Sequence, residues 1–179
     1  MKRFLGLIIL VYALPGCHNF SKHSSNNDDL TPLPPEVAGT WKSEGHLPCT
    51  ITLTPQGKVS WAITSLGQMK ITPNQTTHFE MIDGQISTVI AGECPVDYDP
   101  ETRELSVTIF ISDMDIKIAN DCIVGSNEDN FFGPVSKDGK TWNTTWINIF
   151  DYGPRFPQSK DDIEGVPLKF EKVAELPRR

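Results

Sequence analysis

Hydrophobic and polar residues alternate with a period of two along most of the chain after residue 36, which is typical of strands with one buried face. In the first clear example Cys49, Ile51 and Leu53 share one face, and the threonines between them share the other. Pro55-Gln56-Gly57 then predicts a turn into a second strand, Val59–Ile63. No helical period persists in this part of the sequence, so we expect strands and turns there.

The same alternation predicts about nine or ten short strands joined by short connections. Besides the two already described, the candidates are residues 40–43, 68–72, 77–82, 85–91, 104–112, 115–124, 141–150 and 167–173. Ser112-Asp113-Met114 predicts a turn between two of them. The predicted fold class is all-β, an antiparallel meander that closes into an up-and-down barrel. A two-sheet sandwich is the alternative, since either arrangement hides the strand edges.

Composition and charge narrow the function classes. A length of 179 residues suits a single domain, and 14 prolines and 13 glycines suit a chain with many turns. The 16 basic residues are outnumbered by 23 acidic residues, which gives a formal net charge of −7. Binding to a phosphate backbone requires a clustered positive surface. Nucleic acid is therefore not an expected partner.

Residues 1–16 have the pattern of an export signal, because Lys2 and Arg3 precede a mostly apolar run. That run is shorter than the roughly 20 residues that a membrane-spanning helix needs. It ends in Leu14-Pro15-Gly16-Cys17, which resembles the lipobox of bacterial lipoproteins. The resemblance implies that the segment is a cleaved signal peptide and that Cys17 carries acyl chains such as palmitate. Two or more acyl chains would give stable membrane attachment.

The composition then divides the exported chain into two parts. Residues 17–36 are rich in serine, asparagine, aspartate and proline, which predicts a flexible tether behind the lipid. Residues 37–179 form the predicted single barrel domain. Removal of the signal peptide takes away two basic residues and leaves 14 against 23 acidic ones, so anionic lipid headgroups should repel the domain. We expect a cell-envelope protein whose domain lies in the periplasm or outside the cell.

The domain begins with Gly39-Thr40-Trp41, which resembles the G-x-W motif that opens the first strand of lipocalins and related calycin barrels. The resemblance implies a lipocalin-like barrel in which Gly39 and Trp41 are a structural motif at the closed end. In that family a basic side chain near the C-terminus covers the tryptophan, and Lys169, Lys172 or Arg178 could take that place here. The alternative is that Trp41 is an ordinary core aromatic.

Three cysteines remain after the one in the lipobox: Cys49, Cys94 and Cys122. In an oxidising compartment we expect one disulfide and one free thiol, with all three pairings open. Cys49 is in phase with the core side of its strand, and Cys122 is in phase with Ile116, so both are expected to face the core. A zinc site built from these cysteines and His46 is the less favoured alternative, and no metal is predicted.

No catalytic residue and no cofactor are predicted. Asp97, Asp99 and Glu101 alternate as calcium ligands would, but a plain acidic turn between strands is the favoured interpretation. The domain has only His46 and His78, and it carries no nucleophile, metalloprotease or phosphate-binding motif. A metal-dependent or hydrolytic envelope enzyme is kept as the alternative function.

Residues 150–157 combine three aromatic residues with an arginine and two prolines, which is typical of a recognition loop. The candidate ligand- or partner-binding residues are Trp142, Trp146, Tyr152, Arg155 and Phe156. The expected function is a non-catalytic, lipid-anchored binding domain for a small apolar ligand or for another envelope protein. A ligand carrier keeps part of its interior unfilled, whereas an interaction protein fills it.

Overall fold

A computed structural model of the protein describes residues 32–43, 47–64, 69–81, 84–118, 121–158 and 164–173. These residues form strands and turns and contain no helix, so none of them belongs to a helix able to cross a bilayer. The all-β prediction is confirmed. The ten strands are β1 (Gly39–Ser43), β2 (Thr50–Leu53), β3 (Val59–Ile63), β4 (Thr76–Glu80), β5 (Ile86–Ala91), β6 (Val96–Asp99), β7 (Glu104–Ile118), β8 (Asp121–Pro134), β9 (Thr141–Asp151) and β10 (Val166–Lys172).

All ten strands belong to one antiparallel sheet in the order β3-β2-β1-β10-β9-β8-β7-β5-β4, and β6 pairs with β7 beside β5. This is the strand order of an up-and-down barrel, in which the first strand pairs with the last, and it excludes the two-sheet sandwich. The two ends of the curled sheet approach each other at an antiparallel bridge between Ala62 of β3 and Ile71, just before β4. These two residues exchange backbone hydrogen bonds of 2.8 and 2.7 Å.

One end of the barrel, here called the closed end, is filled by aromatic side chains. Trp41, Phe131, Trp142 and Phe170 come from four different strands and are fully buried. Their ring centres lie 5.0–6.4 Å apart, the range of favourable aromatic contacts. Leu33 and Val37 from the segment before β1 are buried against the same core. The interior at this end is therefore packed and is not a ligand cavity.

Close approach between β8 and β9 requires two glycines. Gly125 has φ +154° and Gly133 has φ +153°. A Cβ atom on Gly125 would lie 1.7 Å from the Asp151 carbonyl oxygen, and one on Gly133 would lie 2.1 Å from the Asn143 carbonyl oxygen. Only glycine leaves room for the backbone of the neighbouring strand at these two positions.

The structure corrects five strand predictions. Of the predicted strand 68–72, the described residues 69–72 form only a bridge at Ile71, and the predicted strand 115–124 is divided between the end of β7 and the start of β8. Ser112-Asp113-Met114 is not a turn, because β7 continues through it with a register shift between Ile111 and Met114, which is a β-bulge. β8 continues to Pro134 through a polar stretch for which the alternation predicts no strand. β6 was also missed, and the acidic residues that alternate there form this strand and the turn after it. In that turn the Asp99 carboxylate accepts a hydrogen bond from Glu101 N at 2.8 Å, which is typical of aspartate at the start of a turn.

The predicted disulfide is wrong, because Cys49, Cys94 and Cys122 are all unpaired. Cys49 and Cys94 are buried, whereas Cys122 is exposed and does not face the core. The expectation for Cys122 was wrong because it counted alternate residues from Ile116 to Cys122 as if they lay on one strand. The chain reverses between β7 and β8, so the alternation of the two faces does not continue from one strand to the next. Cys122 pairs with Lys117, on the opposite face from Ile116.

Candidate binding site at the far end of the barrel

Polar side chains point into the barrel at the end opposite the aromatic cluster, here called the far end. On β8 the buried residues alternate, so Asn127 and Asp129 lie on the same inward face as Phe131. On β9 Asn148 pairs with Asp129, and Trp146 pairs with Phe131. With Tyr152, just after β9, these residues form what we call the inner polar cluster: Asn127, Asp129, Trp146, Asn148 and Tyr152.

Hydrogen bonds connect every member of the inner polar cluster. Trp146 Nε1 and Asn148 Nδ2 both donate to Asp129 Oδ1 at 2.9 Å, and Asn127 Nδ2 donates to Asp129 Oδ2 at 3.3 Å. The Tyr152 hydroxyl donates to Asn127 Oδ1 at 2.7 Å, and Asn148 Nδ2 also donates to that oxygen at 2.9 Å. Asp129 is 0% exposed, so these neutral donors replace the water that its carboxylate would otherwise bind.

The negative charge of Asp129 extends to the groups around the cluster. Burial, and then the charge of Asp129, raise the pKa of the Tyr152 hydroxyl from 10.0 to about 12. Burial and the same charge raise the pKa of the Cys49 thiol from 9.0 to about 12, which places Cys49 within electrostatic reach of the cluster. Cys49 is held by Ser43 Oγ, which accepts a hydrogen bond from Cys49 N at 2.7 Å. Both titrating groups are therefore neutral at pH 7.

The chain after β9 is tied back onto the far end. We call residues 152–158 the strap. The Tyr152 ring stacks on Phe150 with the ring centres 4.3 Å apart, and its hydroxyl enters the inner polar cluster. Arg155 pairs with Asp121, the first residue of β8, at 2.9 Å. Gln158 Nε2 donates to the Asn148 carbonyl oxygen at 2.8 Å, and Phe150 N donates to Gln158 Oε1 at 3.3 Å.

The five predicted binding residues fall into three different places. Trp146 and Tyr152 belong to the inner polar cluster, and Arg155 and Phe156 lie exposed in the strap. Trp142 does not line a site, because it is buried in the aromatic cluster and donates from Nε1 to the Gly133 carbonyl oxygen at 3.0 Å. Cys17 lies outside the described residues, so its lipidation stays a prediction.

Sequence reasoning missed the centre of the site. Asn127 and Asp129 lie in the part of β8 for which no strand was predicted. Gln158 belongs to no sequence pattern that indicates a binding residue. Asn148 could have indicated the site, since it lies an even number of residues from Trp142 and Trp146 and therefore on the same face of β9. A polar residue at an inward position next to a tryptophan points to a polar patch in the interior.

Among the described residues no group of three or more histidine, cysteine, aspartate and glutamate side chains could hold a metal ion. His46, the fourth ligand of the alternative zinc site, lies outside them. Of the remaining candidates for that site, Cys122 is exposed whereas Cys49 and Cys94 are buried.

Comparison with known proteins identifies no relative, since no family model, curated protein or solved structure matches the chain. The resemblance to lipocalins therefore stays a prediction. Of the three basic residues that could cover Trp41, Lys172 lies over its ring, Lys169 bonds to Glu171, and Arg178 lies outside the described residues.

Proposed function

We propose that this chain is a non-catalytic, lipid-anchored protein of the cell envelope whose barrel binds a small polar ligand at the inner polar cluster. The observation that supports the proposal is the fully buried carboxylate of Asp129, which is surrounded by inward-facing amide, indole and phenol groups. The aromatic side chains of the closed end fill the interior on the other side. Convergent polar groups in a mostly apolar interior are the usual composition of a small-molecule site.

The hydrogen bonds of the cluster define the ligand chemistry. Tyr152 is the member of the cluster that follows β9 instead of lying in β8 or β9. Its hydroxyl donates a hydrogen bond to Asn127 Oδ1. A ligand that enters from the far end would replace the Tyr152 hydroxyl with its own N–H or O–H donor. The nearby charge of Asp129 disfavours an anion, so the ligand is neutral or cationic.

This proposal differs from the apolar ligand suggested by the sequence. Four fully buried aromatic rings, together with Leu33 and Val37, fill the closed end. A barrel of this kind has room for only one small ligand, and here that volume is already taken by side chains. A long acyl chain therefore does not fit, whereas a compact polar molecule needs only the space that Tyr152 occupies.

A binding role is favoured over catalysis by the state of the cysteine beside the cluster. The nucleophile in cysteine chemistry is the thiolate, and the pKa of Cys49 is raised to about 12 by burial and by Asp129. Cys49 is therefore a protonated thiol at pH 7. The inner polar cluster provides donors and one carboxylate, which can hold a ligand without supplying a nucleophile.

The test is native mass spectrometry of the protein extracted in mild detergent from membranes of its native host. We expect a bound molecule of low mass on the wild-type protein and its loss from Asn148→Ala. The matched control is Asn143→Ala, because Asn143 lies on the same strand but is exposed on the outer face. Absence of a bound molecule, or equal retention by both variants, would contradict the proposal.

An envelope partner that docks on the strap is the second candidate, supported by Phe156, whose side chain is 40% exposed beside Arg155. Crosslinking in intact cells distinguishes the two. A protein adduct that is lost in Phe156→Ala, with no small molecule bound to the wild type, would support docking and reject the ligand site.

A further inference from the structure

The strap covers the part of β9 that runs beyond β10. Val166, the first residue of β10, pairs with Trp146, so residues 147–151 of β9 extend past the end of their neighbour on that side. The Gln158 side chain takes the place of the missing strand there. Its amide donates to the Asn148 carbonyl and accepts from Phe150 N, as the peptide group of a paired strand would.

The other contacts of the strap are individually weak. The Arg155–Asp121 pair is exposed, with side-chain exposures of 74% and 50%, and such surface pairs contribute about 0–1 kcal/mol. A hydrogen bond such as that from Tyr152 to Asn127 contributes about 0.5–1.5 kcal/mol net. The barrel strands, by contrast, are held by continuous ladders and by the aromatic core. The strap can therefore separate from β9 without opening the barrel.

Release of the strap has a defined consequence for the interior. Gly153 directly follows Tyr152 with φ +76°, a conformation that glycine adopts without strain, so residues 154–158 can turn away from β9 at this point. Tyr152 stays next to Asp151, which pairs with Ser126, and its ring leaves the interior by rotation about its own Cα–Cβ bond. The half-buried Tyr152 ring packs against the core, and its hydroxyl donates to Asn127 Oδ1 and shields that oxygen from solvent. When the strap has turned away and the Tyr152 ring rotates outward, the inner polar cluster is exposed to solvent.

We propose that the strap is a gate over the inner polar cluster, held shut by the Gln158 amide on β9, and that a ligand enters when the strap turns away at Gly153 and the Tyr152 ring rotates outward. This inference rests on the proposed function for its biological meaning. Its physical content, a local opening that exposes the far end of the interior, can be measured without any ligand.

The buried Cys49 beside the cluster reports the opening, and Cys94 provides the internal reference. Both thiols are unpaired and buried, but Cys94 follows β5, where its thiol lies 3.8 Å from the Gly92 carbonyl oxygen. The probe is iodoacetamide on the full-length protein in detergent at pH 9, with peptide mass spectrometry to follow each cysteine separately. Gln158→Ala is the test variant. Gln56→Ala, in an exposed turn at the closed end, is the matched control.

We expect Gln158→Ala to raise the alkylation rate of Cys49 about tenfold, which corresponds to the loss of about 1.4 kcal/mol, or one to two hydrogen bonds. Cys94 in the same protein and both thiols in Gln56→Ala should react at wild-type rates. Tyr152→Phe keeps the ring but loses its bond to Asn127, and it should raise the Cys49 rate less than Gln158→Ala does.

Two results would overturn the gate. Cys49 could keep its wild-type rate in both strap variants, or Cys94 could accelerate together with Cys49 in both, which would show opening of the whole barrel. Neither result depends on a ligand, so failure of the gate and failure of the proposed function are distinguishable. A protein that carries a bound molecule but has an unchanged Cys49 rate would retain the function and lose the gate.

Discussion

The ammonium group of Lys172 lies 5.6 Å from the centre of the Trp41 ring and donates a hydrogen bond to the Pro35 carbonyl oxygen at 2.8 Å. Trp41 Nε1 in turn donates to the Val37 carbonyl oxygen at 2.8 Å. The last strand and the first strand thus hold the segment before β1 against the closed end from two sides. Lys172 contributes both a cation–π contact and a hydrogen bond to this arrangement.

Replacement of Lys172 by methionine should lower the free energy of unfolding by about 1–2 kcal/mol, because the stem remains but the cation–π contact and the bond to Pro35 are lost. Lys172→Arg, which keeps the charge, should lose less. Urea denaturation followed by tryptophan fluorescence measures both. Equal stability of Lys172→Met and the wild type would show that the contact does not hold the closed end.

The predictable part of the fold is the part whose interior is apolar. Trp142 and Thr144 alternate with exposed residues along β9, and this strand was predicted almost to its ends. Residues 125–134 of β8 were missed because the inward positions at the far end are Asn127 and Asp129 instead of aliphatic residues. The missed strand and the missed site therefore have the same cause, since polar residues in the interior remove the alternation on which strand prediction depends.

The local geometry of β7 could not be read from composition either. Ser112-Asp113 has the residue types of a turn, but pairing with both neighbouring strands continues on each side, so the extra residues form a bulge. Which of the two forms is adopted depends on long-range pairing, and that information lies in other strands.

Gly125→Ala should cost more than about 3 kcal/mol, because the new Cβ would lie 1.7 Å from the Asp151 carbonyl oxygen in addition to its strained φ. Gly153→Ala is the matched control. Gly153 also has a positive φ, +76°, but nothing lies within 4 Å of its Cβ position, so the cost should be about 1–2 kcal/mol. Thermal unfolding compares them, and similar losses in the two variants would refute the close approach of β8 and β9.

Stability should fall at alkaline pH. The pKa of Cys49 is raised in the folded state from 9.0 to about 12, so the folded protein holds this proton more tightly than the unfolded chain does. The resulting stabilisation is complete below pH 9 and is lost as the pH rises from 9 towards 12, by up to about 1.4 kcal/mol per pH unit. Tyr152 adds a second loss of the same sign from pH 10, because its pKa is also raised.

The variant Cys49→Ser removes the Cys49 contribution, since a serine hydroxyl does not titrate in this range. Its unfolding free energy should decrease less steeply than that of the wild type between pH 9 and 10, where the buried Cys94, whose pKa is also raised by burial, remains the titrating thiol. Above pH 10 the loss from Tyr152 should be added in both proteins. Urea denaturation at half-unit pH steps measures the profile. A wild-type profile that is flat from pH 9 to 11 would be inconsistent with a buried, neutral Cys49.

Unreduced protein should contain three alkylatable thiols from Cys49, Cys94 and Cys122 once it is denatured, because none of them is paired. In the native state a short exposure to iodoacetamide should modify Cys122 alone, since the other two are buried. Mass spectrometry of tryptic peptides gives the result directly. A pair of cysteines that reacts only after reduction would show that the two are joined by a disulfide and would contradict this prediction.

Cys17→Ser should abolish incorporation of a labelled fatty acid and release the protein from the membrane fraction, because the proposed anchor consists only of acyl chains on this residue. Cys122→Ser is the matched control, since Cys122 is the exposed cysteine of the barrel and should leave labelling unchanged. Metabolic labelling followed by membrane fractionation tests both variants. Equal labelling of the Cys17→Ser variant and the wild type would rule out the anchor.

The pairing of β1 with β10 has a consequence for the order in which the chain can fold. Trp41 pairs with Lys172, so the first strand gains its second neighbour only when the last strand is available. Such long-range contacts slow folding, because a large loop must close before they are gained. During synthesis from the N-terminus, one edge of β1 has no neighbouring strand until nearly the whole chain has been made. A product that ends before β10 would leave one edge of β1 and one edge of β9 without a neighbouring strand, and it would tend to aggregate instead of accumulating as a partly active domain.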